Sequence, residues 1–180
     1  MNLKELTMEN HKNAERQQFV KVMFSGKMDP KLYARYLYNQ FPCYEILELF
    51  ADRHQLLEDV QEIKRRNAIL SDFVDLWGQD APPKVCDSTQ RYLLHLKEIS
   101  DDPNKIMAHV YVRHMGDLSG GQMLKKRVPG PGRYYQFEGD IPALKDKIRA
   151  KLDDSMADEA KICFDYATEL FQEMMEFVDG

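Results

Sequence analysis

A hydrophobic period near 3.6 residues recurs along this 180-residue chain, and no stretch alternates with period two. That pattern restricts the fold to packed helices without a sheet. Near the start, Leu3, Thr7, His11 and Ala14 share a face; near the end, Ile162, Cys163, Tyr166, Ala167, Leu170, Phe171, Met174 and Phe177 do so. Pro30 suits a helix start, and the pattern predicts a helix to about Arg53, kinked at Pro42. Another is predicted over roughly 56–77, stopped by Gly78 and Pro82-Pro83. Ser88 or Thr89 is expected to cap a short helix carrying Tyr92, Leu93, Leu96 and Ile99. A further helix opens at Asp101-Asp102-Pro103 and runs to about Val128, before Pro129-Gly130-Pro131-Gly132. Without repeat or linker, residues 1–180 are expected to form a single-domain, all-α, multi-helix bundle.

One segment breaks the pattern. Helix-compatible sequence flanks Gly116-Asp117-Leu118-Ser119-Gly120-Gly121 on both sides. Each glycine inside a helix costs about 1 kcal/mol relative to alanine, so a compensating role is expected. Gly116 and Gly120 lie four apart and share a face, with Asp117 and Gly121 beside them. Bare backbone on that face suits a flat partner close to one carboxylate. It equally suits close helix–helix packing, or a break between two helices.

Charge and cysteine usage exclude several classes. The net charge of −5 and pI of about 5.6 give no basic excess for nucleic acid. Local basic runs occur at Lys125-Lys126-Arg127 and between Lys145 and Lys151. Cys43, Cys86 and Cys163 are scattered and form no CxxC pair, against a disulfide framework, a zinc site or an iron–sulfur site. No apolar run is long enough to span a bilayer. Neither Met1-Asn2-Leu3-Lys4-Glu5-Leu6 nor Phe177-Val178-Asp179-Gly180 reads as a signal or anchor. A soluble, cytoplasmic monomer is expected.

Among five histidines, His11 lies on the apolar face of the first helix, with Glu15 one turn on. Glu15 can orient the imidazole from its far nitrogen, as carboxylates do for metal-ligating histidines. A partly buried histidine capped by a carboxylate has the same pattern. Lys4, two turns before His11, and the pair Lys145 and Arg149 can hold anions or simply face solvent. His54 and His95 read as surface or rim residues; His109 and His114 could line a pocket, joined by Tyr111 and Arg113. A di-iron bundle would need paired Glu-x-x-His motifs, which are absent.

The run from Tyr111 to Lys126, Tyr-Val-Arg-His-Met-Gly-Asp-Leu-Ser-Gly-Gly-Gln-Met-Leu-Lys-Lys, resembles the signature segment of the haem oxygenases. Thr7-Met8-Glu9-Asn10-His11-Lys12-Asn13-Ala14-Glu15 resembles the same family's proximal helix. Weaker similarity covers nearly the whole chain. The resemblance implies haem b, as substrate and cofactor, between a proximal and a distal helix. It implies His11 as the axial iron ligand, Glu15 as its orienting partner, and Gly116 and Gly120 as distal glycines facing the haem. Asp117 would hold a distal water network, with Tyr111 and Arg113 in its hydrogen-bonded surroundings. Ala14, Ser119 and Gly121 would add haem contacts, Phe164 an aromatic wall, and Lys4, Lys145 and Arg149 the propionate partners.

The implied reaction consumes O2 and external electrons and releases biliverdin, expected in its IXα form, with Fe2+ and CO. A ferredoxin or flavoprotein reductase would donate the electrons, docking on Lys125, Lys126 and Arg127, and a bilin reductase would act downstream. A non-catalytic haem-sequestering protein of the same fold is the alternative. Three positions depart from the family pattern. His114 stands where tyrosine is common, Met8 replaces a basic residue, and the loop from Pro129 to Asp140 is short.

Overall fold

The computed structural model describes residues 2–178; Met1, Asp179 and Gly180, included in the terminal readings above, lie outside them. The helices are α1 (Leu3–Leu6), α2 (Met8–Glu15), α3 (Gln18–Phe24), α4 (Pro30–Arg53), α5 (Arg66–Trp77), α6 (Asp87–Glu98), α7 (Pro103–Leu118), α8 (Gly121–Leu124), α9 (Ile141–Arg149) and α10 (Ala157–Met174). Short 3-10 turns at Gln61–Ile63, Arg133–Tyr135, Asp154–Met156 and Met175–Phe177 join them. Among the described residues there is no strand, so the protein is all-α.

Local chemistry sets the long helices. Asp29 accepts the Lys31 N–H ahead of Pro30 at the start of α4, which runs unbroken through Pro42 to Arg53. Asp102 does the same for α7, accepting from Asn104 and Lys105 ahead of Pro103. Helix α4 packs on α5, α6 and α7, while α10 packs on α7, α2, α6 and α3. Two apolar regions result. One gathers Phe50, Leu57, Leu96, Ile106, Val110 and Ala160; the other gathers Phe19, Met23, Leu37, Ile69, Leu170 and Met174. The three cysteines are free and buried.

Several expected boundaries move. The helix predicted over 56–77 begins only at Arg66, because Gln55 is left-handed (φ 58°) and a 3-10 turn follows. Its N-terminus is capped from another helix: Glu48 of α4 accepts the N–H of Arg65 at 2.7 Å and of Arg66 at 3.3 Å. The stop at Gly78 is as expected, with a left-handed φ of 60°. Neither Ser88 nor Thr89 caps α6. Cys86 stands at the cap, and Thr89 instead donates to Asn39 Oδ1. The helix expected to reach Val128 ends at Leu118. The N-terminal helix divides at Thr7 (φ −110°, ψ 3°). Burial on α10 centres on Cys163, Phe164, Thr168, Leu170 and Met174, with Ile162, Tyr166, Ala167 and Phe171 half-buried.

Candidate active site

The glycine segment is a break between α7 and α8, turned at Ser119 (φ −103°, ψ −92°). Its three glycines differ in surroundings. A Cβ on Gly116 would meet nothing within 4 Å, and on Gly120 only the Gly116 carbonyl oxygen at 4.0 Å. Both are exposed, so close helix–helix packing does not account for them. Gly121 is buried, and a Cβ there would lie 2.6 Å from a Tyr135 ring carbon, so packing explains that glycine. Ser119 is exposed beside them.

Asp117 turns inward from the bare face and is 6% exposed. The Tyr44 hydroxyl donates to its Oδ2 at 2.7 Å. Burial pushes the carboxyl up to about 7, against the opposing pull of His114, the Tyr44 hydrogen bond, Arg65 and Arg113. Behind it runs a continuous polar chain. Tyr134 donates to Tyr44 at 2.9 Å, and Gln40 donates to the hydroxyls of Tyr134 and Tyr36. Arg113 donates from Nη1 to Gln40 Oε1 at 3.1 Å and from Nε to the Tyr92 hydroxyl at 3.0 Å. The Tyr92 hydroxyl meets His109 Nδ1 at 2.7 Å, and His109 Nε2 meets Glu159 at 2.8 Å. A buried chain with all its partners present holds its members in one arrangement.

His95, expected at the rim, joins this chain by bonding the same Glu159 oxygen. Burial raises the Glu159 carboxyl, but the His109 and His95 hydrogen bonds outweigh it and bring it down to about 2. His109 and His114 are wholly buried, so they stand behind the exposed glycine face. His54 meets the Ser100 carbonyl at 2.7 Å.

On α2, His11 Nε2 meets Glu15 at 2.5 Å, with the two side chains 41% and 61% exposed. The imidazole stacks on Phe164 of α10, ring centroids 5.1 Å apart and 15° from parallel. Ala14 is the buried residue of that helix. Helices α2 and α7 thus rest on a common base, α10, which also sends Cys163 towards Tyr92. Tyr111 of α7 is half-buried, near Thr7 and Arg149. Burial raises its hydroxyl pKa, while Thr7 and Arg149 act in the opposite direction. Arg149 is exposed and bonds Asp146 at 3.1 Å, Lys145 is half-buried, and Lys4 is exposed. The structure records no contact that brings these three cations together.

Gln40, Tyr44, Tyr92, Tyr134 and Glu159 were not legible as site residues. The one available signal was polar side chains on the apolar face of α4, where Gln40, Tyr44 and Glu48 are buried one turn apart. Histidine on one helix and bare, carboxylate-backed backbone on another, both seated on α10, define a helical protein suited to a flat, metal-centred ligand. Comparison with known proteins agrees. The family model "Heme oxygenase" matches residues 1–178. A heme oxygenase of Rhodella violacea is 30% identical, over 97% of this chain and 86% of its own length. One from Guillardia theta is 31% identical, over 96% and 84%. The solved heme oxygenase of Leptospira interrogans superposes with a TM-score of 0.85 at 31% identity, covering 96% of this chain and 100% of that one. That of Synechocystis heme oxygenase-1 in complex with heme does so at 0.84 and 24%, covering 98% and 94%, a likeness of fold. The chain belongs to the haem oxygenase family, enzymes that degrade haem.

Proposed function

We propose that the chain, acting as one domain, cleaves haem with O2 and external electrons to biliverdin IXα, Fe2+ and CO. The observation that carries this reading is the exposed Gly116 and Gly120 backbone, free of any packing role, with the buried Asp117 directly behind it. Storage alone would not need a costly buried carboxylate at that place, which disfavours a sequestering protein. When bound, haem supplies the iron that activates dioxygen and is itself the molecule consumed. His11, held by Glu15 and backed by Phe164, would hold the iron through its imidazole. Gly116 and Gly120, with open space where a Cβ would stand, would let a flat macrocycle approach the α7 backbone. Asp117, whose pKa of about 7 lets it hold or release a proton near neutrality, manages proton delivery with Tyr44 and the chain behind it. Lys4, Lys145 and Arg149 are assigned to the propionates.

Product analysis after turnover with ascorbate or with a ferredoxin system tests the reading: biliverdin supports it, and intact haem supports the sequestering alternative. His11→Ala is expected to lose the imidazole-type ferrous–CO spectrum while the apo-protein still folds, since His11 is half-exposed. An unchanged spectrum removes His11 as the ligand.

Electrons are assigned to a ferredoxin or flavoprotein reductase, with a bilin reductase taking the product in the cytoplasm. Half-buried Lys125 and exposed Lys126 follow exposed Met123, while Arg127 is tied to the Phe24 carbonyl at 3.0 Å. Steering by such a patch weakens once the screening length falls to about 3 Å at 1 M salt. Salt should therefore slow ferredoxin-supported turnover several-fold and leave ascorbate-supported turnover unchanged; equal slowing of both argues against the patch. Among the described residues, no helix is long and apolar enough to cross a membrane.

A further inference from the structure

His114 is wholly buried on α7, three residues before Asp117. Its Nε2 lies 2.9 Å from Glu48 Oε2. The other groups bonding Glu48 are the backbone N–H of Arg65 and of Arg66. Both donate, so Glu48 acts as an acceptor throughout and the proton between it and the ring sits on His114 Nε2. The other nitrogen, Nδ1, is buried with no protein partner. A buried polar atom in that condition calls for an ordered water. The ring meets Tyr44 edge-on, centroids 5.1 Å apart at 67°, and Tyr44 is the residue that donates to Asp117. The charged and titratable groups around this pair are Tyr44 and Glu48 from α4, Arg65 from the segment before α5, Tyr134 from its 3-10 turn, and Arg113 on α7 itself.

We propose that His114 is a positioning residue for Asp117: Glu48 pins its Nε2–H, and Nδ1 holds a buried water through which His114 and Asp117 exchange a proton. In one direction the Asp117 carboxyl gives its proton to the water, which gives one to Nδ1, leaving a carboxylate and an imidazolium paired with Glu48. The reverse step restores both neutral groups, and no other bond changes. The imidazole thereby favours the ionised carboxylate, in the same sense as the pull His114 exerts on Asp117 against burial. A phenol at this position would satisfy Glu48 but carry no second nitrogen to accept a proton. The inference rests on reading Asp117 as the carboxylate of the haem site. It acts in the ligand-free protein and is tested there, apart from any turnover.

The test is an NMR titration of the apo-protein from about pH 5 to 9, with labelled aspartate carboxyl carbons and histidine nitrogens. His114→Phe is expected to raise the Asp117 midpoint by on the order of one pH unit, the scale of one charge a helical turn away. Glu48→Gln and Asp117→Asn should each shift the His114 nitrogen signals, because coupled groups report on each other. An Asp117 midpoint unmoved by His114→Phe, or His114 signals indifferent to Asp117→Asn, overturns the proposal. Should His114→Phe not fold, the Asp117→Asn arm decides alone. Loss of haem turnover with the NMR coupling intact would fault the haem reading and leave this one standing.

Discussion

Asp117→Asn is expected to bind haem, convert it to biliverdin at least tenfold more slowly, and fold more stably than the parent protein. The kinetic part follows from position. Asp117 is the ionisable group immediately behind the exposed glycine backbone, and an amide cannot deliver and recover a proton; general acid–base groups contribute on the order of 10²–10⁴-fold. The stability part follows from burial. The folded carboxyl sits at about 7 against an ordinary value of 3.8. A carboxyl raised in the folded state contributes fully while protonated in both states, below pH 4. Its contribution falls as pH climbs to about 7 and then levels off. A rise of that size corresponds to on the order of 4 kcal/mol. The asparagine variant escapes that loss and still offers Tyr44 an acceptor. Chemical denaturation of both apo-proteins should show a gap that is wide at pH 8 and narrow at pH 4. A gap independent of pH would mean that Asp117 is not the titrating group.

The second large effect concerns the bare backbone. Gly116→Leu should leave the apo-protein folded and slightly stabilised, and should weaken haem binding by 100-fold or more. Nothing lies within 4 Å of a Cβ at 116, so the chain itself does not resist the side chain. Replacing a helical glycine by leucine gains about 0.5–1 kcal/mol of helix propensity. The side chain would fill the open surface that the proposed function gives to the macrocycle. Gly121→Ala should behave in the opposite way, lowering the melting temperature because its Cβ collides with Tyr135. Haem titration by absorbance and a thermal melt of each apo-protein make the comparison. Undiminished haem affinity in Gly116→Leu would place the ligand elsewhere.

Helix content was readable because its determinants are local. Asp29-Pro30, Gly78 and Asp102-Pro103 act on the residues beside them, and α4, the end of α5 and the start of α7 fall where those residues put them. Two of the failures, at α5 and α6, have a different cause. The N-terminus of α5 is satisfied by Glu48, 17 residues earlier, and Thr89 is diverted by Asn39, 50 residues away. A cap supplied by another helix leaves no trace in the neighbouring sequence. The glycine pattern revealed a surface, but its partner residues were hidden by distance. Tyr44 lies 73 residues from Asp117, and Gln40 lies 73 from Arg113. His95 is half-buried, as a rim residue would be, but its company on Glu159 appears only once α6, α7 and α10 are assembled.

The two helices that carry the site are anchored very unequally. Helix α7 buries nine of its residues, whereas α2 buries Ala14 alone and is held to α10 by the His11–Phe164 stack and by Asn10, which donates to Asp165 at 2.9 Å. Segments with little buried surface open at low free energy, so amide exchange should be fast across 8–15 and slow across 106–118. The two helices are therefore expected to differ in local opening, α7 opening rarely and α2 more often. If His11 holds the haem iron as proposed, a product without iron would have no bond to α2, which buries less of itself than α7 does.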